Sequence, residues 1–215
     1  MRIVCLSDTH NRHRAISVPD GDVLIHAGDF TNTGSVEEIS AAMSWMAELP
    51  HRHRIVIGGN HDWIFEREPE VAAKLIPPHV HYLCDSGCVI EGLRIWGSPV
   101  QPRFLDWAFN RDRGVAIERH WAMIPENTDV LITHGPPYGR LDLTWAGHCG
   151  CESLLRRLTE VRPKLHVFGH IHGAYGVDVL GPTLLVNAAT CNEAYRPVHP
   201  PIVINMEGGS CSQEQ

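Results

Sequence analysis

The chain reads as an α/β protein on three observations. Short, almost wholly apolar runs occur at residues 2–6, 23–27, 55–57, 130–133 and 165–168. Such runs are strands buried on both faces, as in sheets covered by helices. Between them lie segments with apolar residues at helical spacing. Each run also leads into Asp, Asn or His, residues that packing alone does not ask for.

Taken in order, the first strand leads straight into Ser7-Asp8-Thr9-His10. In an extended segment, residues two apart point the same way, so Asp8 and His10 can reach one ion. The second strand ends at Gly28-Asp29-Phe30, and His26 within it is read as a core or supporting histidine. Ser35 with Glu38 three residues on is a capping box. Val36, Ile39, Met43 and Met46 then carry a helix towards Leu49, where Pro50 stops it. His51-Arg52-His53-Arg54 reads as a solvated link into the third strand. That strand ends in Gly58-Gly59-Asn60-His61-Asp62. Asn60 offers a neutral oxygen, His61 a titratable nitrogen and Asp62 a carboxylate able to orient His61.

Residues 68–75 form the next expected helix, closed by Pro77-Pro78, and residues 81–83 and 88–96 read as short strands. Residues 98–114 are irregular and rich in Pro, Arg and aromatics; a binding loop and a cover over the core edge fit equally. A helical pattern follows over 115–124. The next strand ends in His134-Gly135-Pro136-Pro137, whose prolines stiffen its exit. A loop over 138–150, with Arg140, Asp142, Trp145 and His148, could line a cleft, although nothing in its spacing requires it. After a helix over 151–161, the strand at 165–168 ends in Gly169-His170-Ile171-His172-Gly173. Two histidines at i and i+2, framed by glycines, are a metal-ligand arrangement. Residues 183–187 and 202–205 are the last strands, with a Pro-rich connector at 192–201. One domain over residues 1–207 is expected, then a polar, disordered tail over 208–215.

A net charge of -7 offers no basic field for a long phosphate backbone, so polymeric nucleic acid is not an expected partner. The seven cysteines are scattered without a repeated CxxC pair, which reads as reduced thiols in a cytoplasmic protein. No run reaches the roughly 20 apolar residues of a membrane span. A strand beginning at Arg2 leaves no place for a signal peptide.

Sites in α/β sheets form beyond the carboxyl ends of strands, where loops converge. Those ends supply Asp8, His10, Asp29, Asn60, His134, His170 and His172 as candidate ligands, with His61 left over. One cation rarely takes so many ligands, whereas two adjacent cations sharing a carboxylate do. The nitrogen and oxygen set suits Mn, Fe, Zn or Co better than Ca or Mg, with Ni also open.

The ordered blocks D-x-H, G-D, G-N-H-D, H and G-H-x-H over residues 8–172 resemble the calcineurin-like metallophosphoesterase superfamily. Residues 162–169, Asn187-Ala188-Ala189-Thr190-Cys191 and Pro200-Pro201-Ile202 resemble its metallophosphoesterase-domain-containing subgroup of class III cyclic-nucleotide phosphodiesterases. Some animal members of that subgroup have glycine where this chain has His170. The resemblance implies a four-layer αββα sandwich of two mixed sheets. It implies one metal held by Asp8, His10, Asp29 and His172, and another by Asp29, Asn60, His134 and His170, with Asp29 bridging. It also implies in-line attack by a bridging hydroxide on a small phosphodiester, cyclic nucleotides above all. His61 would serve the leaving oxygen, oriented by Asp62. A phosphomonoesterase or phosphoprotein phosphatase is the alternative on the same centre. A non-catalytic scaffold is more remote, because no ligand position is lost.

Overall fold

Along residues 2–6, Ile3 and Cys5 pack into one apolar cluster while Val4 and Leu6 pack into another. This is the two-residue alternation of a strand buried on both faces. Val23 and Ile25 against Leu24, and Val130 and Ile132 against Leu131, repeat the split. Each central strand therefore needs a second sheet on one side and helices on the other.

The computed structural model of the protein describes residues 1–207 and 210–214. In chain order it comprises β1 (Arg2–Leu6), β2 (Val23–His26), α1 (Val36–Glu48), β3 (His53–Val56), α2 (Ile64–Arg67), α3 (Pro69–Leu75), β4 (Val80–Tyr82), β5 (Ser86–Ile90) and β6 (Leu93–Ser98). Then come β7 (Gln101–Pro102), β8 (Asn110–Arg111), α4 (Val115–Trp121), β9 (Val130–Thr133), β10 (Leu143–Thr144), β11 (Gly147–His148) and α5 (Glu152–Val161). The chain closes with β12 (Leu165–Phe168), β13 (Gly176–Leu180), β14 (Thr183–Asn187), β15 (Ile202–Glu207) and β16 (Ser210–Gln213).

One sheet has the order β16-β15-β1-β2-β3-β4 and the other β13-β14-β12-β9-β6-β5. Each has a parallel centre, β1 to β4 in the first and β14, β12, β9 and β6 in the second. Antiparallel strands flank both centres. The inner faces meet through Ile3, Ile25, Ile55, Ile132, Val167 and Val186. α1 and α3 cover the first sheet, where Met43, Met46 and Ala72 pack on Val4 and Leu24. α4 and α5 cover the second, where Ile117, Trp121, Leu154 and Leu158 pack on Leu131. The result is the four-layer αββα sandwich.

The capping box forms as expected, while other local expectations need amendment. Ser35 Oγ accepts from the Glu38 amide (3.3 Å). The Glu38 carboxylate in turn takes a bond from the Ser35 backbone, as a capping box does. It also accepts from Thr33 N and Oγ1 (both 2.8 Å) and from Asn11 Nδ2 (2.6 Å), tying α1 to the loop after β1. His51 is buried rather than solvated, with its Nε2 donating to the Pro19 carbonyl (3.0 Å). The expected disordered tail is also corrected for residues 210–213, which pair with β15 as β16. The edge of β15 offers backbone donors and acceptors that even a polar segment can satisfy.

His166 sits in β12 without solvent exposure, its Nε2 2.8 Å from Thr133 Oγ1. Burial pushes its imidazole down to about 3. Between that value and the unfolded one of about 6.5, the unfolded chain holds a proton that the native chain refuses. Stability is therefore lost as the pH is lowered through this window, at about 1.4 kcal/mol per unit from this residue. His166→Gln should lose that component, so urea titrations from pH 6.5 to 4.5 should give the variant a shallower slope than the wild type. Equal slopes would show that His166 is not the group responsible.

Candidate metal centre

The carboxyl ends of the central parallel strands share one edge of the sandwich. Beyond β1 stand Asp8 and His10, beyond β2 Asp29, and beyond β3 Asn60 and His61. The second sheet adds His134 after β9, and His170 and His172 after β12. Three donor triads result: Asp8, His10 and His172; His10, Asp29 and His61; and Asp29, His134 and His170. Donor atoms within each triad lie within 4.8 Å of one another.

The backbone here is not the extended segment expected for Asp-x-His. Asp8 (φ 54°), His10 (φ 41°), Asp29 (φ 56°) and His170 (φ 68°) all adopt left-handed conformations. These turn the side chains over the sheet edge immediately after each strand, at a local cost that surrounding contacts must hold. Two glycines permit the crowding. A Cβ at Gly169 would strike Asp8 Oδ2 and Ser7, and one at Gly59 would strike Asp29 and, at 2.7 Å, His134 Cε1.

The imidazoles are oriented from behind by backbone carbonyls. Nδ1 of His10 donates to Thr31 (3.1 Å), of His134 to Ala27 (2.9 Å), of His172 to Asn192 (3.0 Å) and of His61 to Asn32 (2.8 Å). The Nε2 atoms of His10, His134 and His172 are thereby turned to the centre as lone-pair donors for a cation. His10 Nε2 and His172 Nε2 lie 3.2 Å apart, and Asp8 Oδ1 is 3.2 Å from the latter. His134 Nε2 faces Asn60 Oδ1 at 2.9 Å and Asp29 Oδ2 at 3.4 Å. Lone pairs thus converge with nothing but protons or cations to reconcile them. The donor set fits divalent metal ions.

Charge follows this geometry. Burial would raise Asp8 and Asp29, but neighbouring His172 and His134 draw both carboxyls well below the usual range. Burial would lower His134, yet the charge and contact of Asp29 raise it to about 9. Burial, reinforced by His134, pushes His170 down to about 4. In metal-free protein a proton on His134 occupies the place a cation would take, so metal uptake releases it.

One expected role is corrected. Asp62 does not orient His61, whose Nδ1 is taken by Asn32. The buried Asp62 carboxylate accepts from Phe30 N (3.3 Å), Thr31 N (3.2 Å), Thr31 Oγ1 (2.8 Å) and Gly59 N (2.9 Å). It staples the loop after β3 to the loop bearing Asp29. Burial and then the Asp29 charge push its carboxyl up to about 7, while bonds from Thr31 and Gly59 pull the other way.

Other contributors had no readable motif. Trp107 packs against His61, with ring centroids 4.3 Å apart. Tyr195 holds a left-handed backbone (φ 56°) and lays its ring 4.5 Å from His10. Its loop is built on Asn192, whose Oδ1 accepts from Ala194 N and Arg196 N while its carbonyl orients His172. The strain at Tyr195 is the structural sign of a held position within a stretch that otherwise read as a connector. The Asn187 to Cys191 motif serves as a brace: Thr190 Oγ1 donates to the Ser7 carbonyl (2.8 Å) and Asn187 Nδ2 to that of Ile171 (3.0 Å).

A two-sheet sandwich with buried Asp and His triads at its strand ends is a scaffold able to hold metal ions, and the family it matches implies a phosphoester hydrolase. The model of the calcineurin-like phosphoesterase family matches residues 1–174, and the chain belongs to that family. It is 45% identical to "Metallophosphoesterase domain-containing protein 1" of Homo sapiens, across 95% of this chain and 71% of that one. It is 38% identical to "UPF0046 protein K07C11.7" of Caenorhabditis elegans, across 94% and 74%. The fold is shared with a solved archaeal phosphodiesterase at TM-score 0.54 and 16% identity, covering 100% of this chain and 99% of that one. Among the described residues no helix is long and apolar enough to cross a membrane.

Asp62→Asn should cost about 2 kcal/mol of unfolding free energy, because an amide NH2 would face one of the four buried donors. Urea denaturation checks it, and an unchanged midpoint would show that the staple carries no load.

Proposed function

We propose that the protein is a dinuclear-metal phosphodiesterase acting on small phosphodiesters, with cyclic nucleotides as the first class to try. The observation that carries this reading is that Asp29 belongs to two donor triads, one with His10 and His61 and one with His134 and His170, and that His10 is shared in turn with Asp8 and His172. One carboxylate so placed can serve two cations: Asp8, His10 and His172 would complete one site, and Asn60, His134 and His170 the other. Divalent cations there, Mn being the first to test, would supply Lewis acidity towards phosphate and a hydroxide nucleophile near neutral pH.

The remaining steps belong to side chains. His61, its Nδ1 locked on Asn32, presents Nε2 to the same space and serves as proton donor to the leaving oxygen. Trp107 behind it and His10 beside it, at ring-centroid distances of 4.3 and 4.8 Å, hold its plane. Asp62 keeps its place in the proposal as a positioning group for Gly59 and the Asp29 loop.

Preference for diesters over monoesters has its own support. The cavity at the centre, about 380 Å³, includes no Lys or Arg in its lining but does include Glu193. A monoester dianion wants a cationic clamp beyond the metals, whereas a diester carries a single charge. A cytoplasmic location is part of the proposal, since scattered cysteines without paired spacing suit a reducing compartment.

Metal-stripped protein given Mn²⁺ should hydrolyse bis(p-nitrophenyl) phosphate well and p-nitrophenyl phosphate poorly. The opposite ranking would make it a phosphatase. Asp29→Ala should lose both ions together by elemental analysis, and retention of two would refute the shared carboxylate. His61→Asn should keep both ions while turnover falls by roughly 10²–10⁴-fold; wild-type turnover would remove His61 from the chemistry.

A further inference from the structure

A second cavity of about 410 Å³ opens beside the first and shares Phe104, Thr144, Trp145, His170 and Ile171 with it. Its volume is that of a small-molecule site. Its walls are mostly apolar: Phe104, Trp145, Pro102, Pro136 and Ile171. Trp145 is 96% exposed and Phe104 56%, so the fold itself gains little from either ring.

The hairpin that carries Trp145 is nevertheless firmly based. β10 and β11 pair Leu143 with His148 and Thr144 with Gly147. Buried Asp142 accepts from Gly139 N and Gly150 N (both 2.9 Å), and His148 Nδ1 lies 2.6 Å from it. A fixed base with a bare indole at its tip is a display of an aromatic surface. The chemistry of the occupant is narrowed by charge. Arg103 is engaged by Asp112 (2.6 Å). Arg113 is engaged by Glu152 and by the Gly150 and Cys149 carbonyls. Both guanidiniums face acids at the rim, and the mostly apolar walls suit an uncharged planar group. His61 and Trp107 line only the first cavity, whereas His170 borders both. Phe104 and Trp145 line both, and the second cavity continues from them past His170 to Pro102, Pro136 and Ala146, leaving His61 and Trp107 outside it.

We infer that Trp145 and Phe104 form a stacking subsite for a planar, uncharged aromatic substituent on the phosphorus, the part of the ester that stays with the phosphate. This rests on the hydrolase reading above and deepens it: preferred substrates carry a nucleobase or aryl group on the retained side. Stacking on an exposed aromatic side chain has the strength to set such a preference.

Calorimetry on Mn²⁺-loaded protein tests the subsite without turnover, with thymidine 5′-monophosphate and methyl phosphate as probes. The wild type should bind the nucleotide more tightly, Trp145→Ala should shrink that advantage by roughly tenfold, and Trp145→Phe should restore most of it. An advantage unchanged in Trp145→Ala, or equal weakening of both probes, would overturn the subsite. The p-nitrophenyl esters of the same two phosphates share one leaving group and report on the hydrolase reading. If neither is cleaved while the calorimetric advantage still shrinks in Trp145→Ala, the hydrolase reading falls and the subsite stands.

Discussion

Two carboxylates buried without a fixed cation are the constraint around which the molecule is arranged. Asp8 and Asp29 lie at the ends of adjacent parallel strands, and among the described residues their ion-pair partners are all histidines. Burying an ionised carboxylate without a partner costs far more than a domain can carry. Histidine resolves this in either state. It holds a proton when no ion is present, and it gives a neutral nitrogen ligand when one is. A lysine or arginine in the same place would keep its charge and exclude the metal.

That constraint accounts for features that otherwise look unrelated. Four ligand candidates accept left-handed backbone because the side chains must turn over the sheet edge at once. Gly59 and Gly169 are bare because Asp29, His134 and Asp8 occupy the space a Cβ would need. Asp62 spends its carboxylate on the two loops that meet at Asp29, and Thr190 ties the end of β1 to the chain leaving β14. The two sheets supply different halves of the centre, so their face-to-face packing is itself part of the site.

The surroundings divide by chemistry. Among the described residues, the lining next to the ligand candidates holds Glu193 and no Lys or Arg. Beyond His170 the walls become aromatic and apolar, and the nearby arginines are engaged by acids and carbonyls. The polar region beside the ligand candidates and the apolar region beyond His170 are contiguous and share Phe104 and Trp145.

The sequence by itself determined the buried strands, the helix from Ser35 towards Leu49 and the one over 151–161, and the residues standing at the strand ends. Those features depend on local periodicity and on side-chain chemistry that has no packing explanation. It also carried the family, because the ligand blocks fall in a fixed order. Only the tertiary structure decided the rest. Asp62 next to His61 looked like an orienting pair, but contacts across 30 residues give His61 to Asn32 and Asp62 to Thr31. The carbonyls of Ala27, Thr31, Asn32 and Asn192 that aim the imidazoles belong to the backbone, which every residue type shares, so no motif can announce them. β16 formed on backbone pairing that its small polar side chains do not reveal. Tyr195, Trp107 and Trp145 reach the centre from loops, where position comes from long-range closure rather than from period.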